Sequence, residues 1–292
     1  MRVSEYDAFG PWAYEIDEDH PLPPLFVPFV EHQERYQMLF KLPRDIERRK
    51  ATPDMDLYDY LVGADAGGVQ IWSRREKAVD TTYLPFGEIH GVRLYQRLLK
   101  GVCTLYGGEG AVTLPYNTVS ADILWKLLDL VRRSWPQADM VPSGLARDET
   151  LKEEQVDIWL YNQLRDLRER DVDFTMDAYQ PYHSAFPAGR HMPWTKQEEF
   201  AGTLYLHNSR ELLLLRSGKP EKKGEQKYSA EFTAIPWTAL EGVSLNKSSQ
   251  YQETLIAEFH VRGTSFQTEV NPSSHGVLRF LESIAQARLV HL

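Results

Sequence analysis

Cysteine is almost absent from this chain. The single residue, Cys103, excludes an intramolecular disulfide and a structural zinc site built on several thiolates. A reducing compartment fits that usage. Long apolar runs are missing as well. The longest, such as Leu212 to Leu215, are strand-sized, far below the roughly 18–20 residues that a membrane-crossing helix needs. Met1 to Gly10 carries no apolar stretch behind Arg2, so no signal peptide is expected. These absences together predict a soluble, cytoplasmic protein. Positive charge is in deficit, with 33 Lys+Arg against 42 Asp+Glu and a net charge of −9. An acidic total argues against a nucleic-acid partner, which asks for a basic face. The phosphate loop, the Rossmann glycine fingerprint, HExxH and G-x-S-x-G are all missing. An enzyme is therefore not expected, and no cofactor is.

What the chain does have is core material. Of its 292 residues 42% are hydrophobic, with 7 Trp, 15 Tyr and 12 Phe, enough for about two domains with real interiors. Charge is unevenly placed. Residues 55–135 and 196–292 are each balanced, so the acidic excess falls in 1–54 and 136–195. The balanced blocks also share a pattern. Tyr83 to Leu94 aligns with Ala234 to Leu245, so that Pro85 meets Pro236, Phe86 meets Trp237, Ile89 meets Leu240, Gly91 meets Gly242 and Val92 meets Val243. Further on, Asn117 meets Asn271 and Leu124 meets Leu278. Self-similarity of this kind reads as an internal repeat.

Each block reads as a series of strands. In the first these are Tyr58 to Ala64, Val69 to Arg74, Thr81 to Phe86, Ile89 to Leu99, Val102 to Tyr106 and Ala111 to Tyr116, with turns at Asp65 to Gly68 and Gly107 to Gly110. In the second they are Gly202 to His207, Glu211 to Arg216, Ser229 to Ile235, Leu240 to Lys247, Thr254 to Val261 and Ser265 to Val270, with a tight turn at Arg262-Gly263. A seventh strand per block is expected inside the long fourth run. A closing helix follows each series. Asn117 or Ser120 can cap the first, which carries Leu124, Leu127, Leu128 and Val131. Asn271 can cap the second, with Pro272 at its first position and Val277, Leu278, Leu281 and Ile284 along one face.

On these residues the chain resembles the bacterial pleckstrin-homology-like (PH-like) domains. The resemblance rests on Leu84 to Val92, Ile235 to Val243 and the closing helices, with Lys41 to Lys50 similar to a segment leading into such a domain. It implies a mostly β, α+β fold: two six- or seven-stranded antiparallel barrels, each plugged by a C-terminal helix. The implied organisation is an N-terminal arm over 1–54, a first PH-like domain over 55–135, an acidic helical linker over 136–195 and a second PH-like domain over 196–292. In the linker, Thr150 to Glu153 fits a capping box for a helix over 150–170, with Val156, Leu160, Leu164 and Leu167 as its apolar stripe. In the arm, Pro21, Pro23, Pro24 and Pro28 bar a helix, and Trp12, Leu25, Phe26 and Phe29 are expected to pack onto a barrel.

Candidate chemistry is sparse. Cys103 lies in an apolar strand and reads as a buried small residue. His183 and His191 lack a third ligand at zinc spacing, so no metal is expected. Glu153-Glu154 and Glu198-Glu199 are sequence neighbours and do not read as an acid/base pair. Basic residues do gather after the second strand of each block: Arg74, Arg75 and Lys77 in the first, Lys219, Lys222, Lys223 and Lys227 in the second. They are the candidate site for an anion, a lipid headgroup or a partner. The first hairpins, where lipid-binding PH domains usually hold their basic residues, offer only Arg210. The functional expectation is a non-enzymatic scaffold with a protein partner, with self-association possible through open sheet edges. The alternatives are peripheral binding to an anionic membrane through the basic loops and, behind it, an enzyme of unfamiliar type.

Overall fold

A computed structural model describes residues 6, 9–76, 78–108, 110–137, 141–142, 144–170, 174–189, 195–218 and 229–289. The chain divides into two compact units, Met1–Val92 with Gln96–Trp135, and Arg93–Tyr95 with Pro136–Leu292. Strands dominate, the sheets are antiparallel, and helices are few. Among the described residues no sheet closes into a barrel.

In unit 1, β1 (Tyr14–Glu15), β2 (Met38–Pro43), β3 (Tyr58–Ala64), β4 (Gly68–Arg75) and β5 (Ala78–Pro85) pair in chain order. Three more strands follow, β6 (Ile89–Arg97), β7 (Lys100–Gly107) and β8 (Gly110–Asn117), and then helix α1 (Ala121–Ser134). The turns explain the register. Asp65 Oδ1 accepts from the N–H groups of Gly67 and Gly68 at 2.8 and 3.0 Å, which folds β3 back on β4. Gly107 pairs with Gly110 across the β7–β8 turn, and Gly108 takes φ 58°, where a side chain would strain. The core under the five-stranded sheet gathers Phe26, Leu39, Tyr58, Leu61 and Trp72. Lys41 is wholly buried with them. Its ammonium donates to the Pro21 carbonyl at 2.8 Å and sits 4.4 Å from the centre of the Tyr58 ring. Ile123, Leu124, Leu127, Leu128 and Val131 are the buried face of α1.

In unit 2, helix α2 (Ile158–Arg170) precedes β9 (Thr175–Gln180), the hairpin β10 (His183–Ala185) with β11 (Glu198–Phe200), and β12 (Thr203–His207), β13 (Glu211–Ser217) and β14 (Ser229–Pro236). The larger strands pair in the order β9-β12-β13-β14. A three-stranded meander of β15 (Leu240–Lys247), β16 (Leu255–Val261) and β17 (Thr264–Val270) comes next, then helix α3 (His275–Leu289). Helix α3 packs against β15 of one sheet and β9 of the other, so its apolar side ties both together. Arg216 on β13 reaches Glu269 on β17 at 2.7 Å, and Gln180 on β9 donates to the Glu269 carbonyl at 2.9 Å.

Several expectations need correction. The extra strand of each unit is not hidden in the fourth run. It is β2 in unit 1 and β9 in unit 2, both upstream of the repeat. Lys41 and Pro43 disguise β2, and Asp177 interrupts the apolar alternation of β9. The expected arm is thus partly sheet. Within it Phe26 is wholly buried, while Trp12 and Phe29 are 43% and 45% exposed. The helix over 150–170 is shorter at its start. Thr150 bonds Asp148 instead of capping, a single 3-10 turn spans Glu153–Gln155, and α2 begins at Ile158. Val156, Leu160, Leu164 and Leu167 are buried as expected. Asn271 accepts from the Ser273 N–H, but α3 starts only at His275, so Pro272 precedes the helix. Glu198 and Glu199 lie on a strand, where neighbours face opposite sides.

Candidate functional site

Among the described residues the five-stranded sheet of unit 1 ends in an open edge. Strand β5 reads Ala78-Val-Asp-Thr-Thr-Tyr-Leu-Pro85, and its β-branched and aromatic centre favours extended backbone. It is the last strand of its sheet. Residues Asp80 to Tyr83 are exposed. The ladder decides which groups face outward. Phe86 donates its N–H to the Gly67 carbonyl at 2.9 Å. In an antiparallel pair such residues alternate. The N–H and C=O groups of Ala78, Asp80, Thr82 and Leu84 therefore face β4, and those of Val79, Thr81 and Tyr83 face away from it. The ends of the strand are tied down. Arg75 holds Asp80 at 2.8 Å, and the Tyr83 hydroxyl meets Asp65 at 3.3 Å. Burial alone would raise the Asp65 carboxyl, but the hydrogen bonds from Arg35, Gly67 and Gly68 outweigh it and hold the group below the usual carboxylate range.

Of the basic residues singled out in unit 1, the two that are described are each engaged with an acid. Arg74 is engaged with Asp59 across β3 and β4, its Nε at 2.8 Å, and Arg75 with Asp80. Lys77, Lys219, Lys222, Lys223 and Lys227 lie outside the described residues, as does His191.

A second surface of unit 1 escaped sequence reading. Strands β6 and β7 join through the two residues Leu98 and Leu99, each 61% exposed. Leu98 adopts φ 51°, a left-handed backbone usually left to glycine or asparagine. The Thr118 hydroxyl donates to the Leu98 carbonyl at 2.5 Å, and its N–H to that of Leu99 at 3.1 Å. That contact brings Val119, 62% exposed, beside the tip. An apolar cleft of about 310 Å³ opens next to it, between Pro43, Ile46, Leu99 and Tyr116, with Arg44 and Lys100 also on its walls. Gly101 lets Tyr116 lie against the strand, since a Cβ there would stand 2.3 Å from the ring. The signal was in the sequence, as Arg97-Leu98-Leu99-Lys100, but it held no Gly, Asn or Pro to mark a turn.

Unit 2 holds the most chemically loaded cluster. Asp177 is wholly buried, at the point where the β9–β12 register slips between Tyr205 and Leu206. The slip makes Asp177 the extra residue of a bulge, which aims its carboxylate at the end of β12. His207 Nδ1 lies 2.6 Å from Asp177 Oδ2, and Arg147 Nε lies 3.7 Å from Oδ1. Burial pushes the Asp177 carboxyl up, against the pull of His207 and Arg147. The Trp237 ring stands edge-on to His207 at 6.2 Å, and its Nε1 donates to the Asn208 carbonyl at 2.8 Å. An Asp-oriented imidazole is half of a nucleophile-activating arrangement. Here the hydrogen-bond partner of His207 among the described residues is Asp177, with no hydroxyl or thiol on it. The pair joins the β9 bulge to the end of β12.

His183 packs its ring on Phe200 at 5.1 Å, and burial lowers its pKa. Cys103 is fully buried and its thiol is pushed up to about 12 by burial, which removes it as a nucleophile near neutrality. Among the described residues no three His, Cys, Asp or Glu side chains converge as metal ligands do. Among the described residues no helix is long and apolar enough to cross a membrane. No family model matches the chain, and no curated protein matches it closely enough to count as a relative.

Proposed function

We propose that this chain is a non-enzymatic binding protein, a scaffold that works through two related PH-like modules, one in each unit. What supports the modular reading is the repeated order of elements. A four-strand antiparallel series (β2 to β5; β9 with β12 to β14) precedes a three-strand series and a closing helix in both units. The observation that carries the function is the open edge of β5. An extended peptide from a partner can add to it, because Val79, Thr81 and Tyr83 present backbone donors and acceptors outward. The edge has no lysine, and Pro85 at its end cannot donate.

The test uses a photo-crosslinking residue at Thr81 in the full chain, expressed in its native host, followed by binding measurements with the purified captured protein. Thr81→Pro removes an outward N–H and leaves the inner ladder intact, so affinity should fall about tenfold while the fold persists. Thr81→Ala should bind as the parent does. A partner that binds Thr81→Pro and the parent equally would refute recognition at this edge.

A further inference from the structure

The outward backbone groups of β5 belong to Val79, Thr81 and Tyr83, which are spaced evenly about Thr81. Two copies of this strand can therefore run antiparallel about a two-fold axis at Thr81, the symmetry of a closed homodimer. In that register Thr81 faces Thr81 of the copy, and Val79 faces Tyr83 in both directions. All of these pairs are of the hydrogen-bonded kind, each exchanging two N–H···O=C bonds. Between them Asp80 faces Thr82, and Ala78 faces Leu84. No like charges meet, and each Asp80 carboxylate has a hydroxyl across from it. Neighbouring registers are worse. Setting Val79 against Thr81 brings Asp80 onto Asp80 and loses one of the pairs. Setting Thr81 against Tyr83 also loses a pair and leaves Asp80 opposite Leu84.

We propose that β5 of unit 1 pairs with β5 of a second copy of the chain, in the Thr81-centred register, and so forms a two-fold homodimer. This pairing rests on the strand-edge reading above and names the occupant of that edge. The side chains agree with it on both faces of the strand. Tyr83, 43% exposed, lies against Val79 of the copy as an aromatic–β-branched pair, and the two Thr81 side chains meet at the axis. On the other face Thr82 stands opposite Asp80. The strand also lacks the devices that blunt an edge. It has no lysine and no bulge, and its one charge, Asp80, is already engaged by Arg75 at 2.8 Å. Pro85 ends the run of donors, since it has no N–H. A single strand pair covers less than the roughly 1,600 Å² of a standard interface, so the dimer is weak and forms with rising concentration.

The experiment is sedimentation equilibrium of the purified full chain at concentrations up to about 0.5 mM. The expected result is a monomer–dimer equilibrium. Thr81→Pro removes an outward N–H from both copies at the axis and should weaken the dimer about thirtyfold. Thr82→Lys sets a cation against Asp80 on both sides of the axis and should tighten the dimer about fivefold, while Thr82→Asp should weaken it about as much. Thr82 is exposed, so the melting curves of these two variants should follow the parent, which separates lost pairing from lost folding. Register is read by cross-linking. Asp80→Cys protein mixed with Thr82→Cys protein should form a mixed disulfide under mild oxidation, because a directly opposed pair of this kind stands about 4.5 Å apart between Cα atoms. Neither protein alone should cross-link as fast, and the buried Cys103 stays out of the reaction. A monomer at every concentration would overturn the proposal and leave the strand-edge reading standing, the protein captured at Thr81 then being a different one. A dimer that neither Thr81→Pro nor the Thr82 variants change would overturn it by placing the contact elsewhere. A dimer that Thr82→Lys weakens would overturn the register.

Discussion

Asp177 carries its carboxylate into a site from which water is excluded, with His207 at 2.6 Å and Arg147 at 3.7 Å as its compensation. Its folded pKa is raised, burial being the main cause. A raised folded value means that the protonated form suits the native state. The contribution of this group is therefore fully present below the unfolded pKa of about 4 and is lost as pH rises through the folded value. Removing the imidazole should leave the buried carboxylate with Arg147 alone as its compensation. His207→Ala is expected to cost about 3–5 kcal/mol at neutral pH and clearly less near pH 4, measured by urea unfolding. Asp177→Asn should flatten that dependence. If the cost of His207→Ala does not change between the two pH values, the carboxylate is not what His207 serves. None of this was legible beforehand. Asp177 and His207 meet only because β9 and β12 pair with a slipped register, and the segment holding Asp177 carries no strand signal of its own. Cys103, by contrast, was readable as a buried residue from its apolar neighbours.

Elements bounded by glycine or asparagine turns were legible to within a residue or two. The spans of β3 and β15 match the sequence reading from end to end. Failures came where punctuation was missing or misleading. The turn between β6 and β7 consists of two leucines, so the sequence reading ended β6 two residues late, at Leu99, and began β7 two residues late, at Val102. Strand β2 ends in a proline and contains a lysine, yet every residue from Met38 to Leu42 is buried. The aligned aromatics of the repeat also turn out unequal. Trp237 is wholly buried, with its indole N–H bonded to Asn208, whereas Phe86 begins a 3-10 turn and is only partly covered. Trp237→Ala should therefore cost about 3–5 kcal/mol, and Phe86→Ala about 1 kcal/mol or less. Equal shifts in the urea midpoint would mean that the two positions are buried alike.

At the scale of the molecule, composition and repeat led to an expectation of four parts, and the chain forms two compact units built mostly of antiparallel strands with few helices. The acidic excess in 1–54 and 136–195 is a matter of which segments can carry solvated charge, since 55–135 and 196–292 supply most of the sheet strands. Binding surfaces were less legible, because an open edge depends on strand order and an exposed tip on backbone angle. The left-handed Leu98 has a consequence for selection. A leucine there costs stability, on the order of 1 kcal/mol. Heat resistance is therefore available at a single codon, and a random library screened only for survival at high temperature should fill that position with glycine or asparagine. The same library screened for function in the cell tells whether leucine is kept. The gap between the two enrichments would measure what the organism gains from a turn that folding alone would discard.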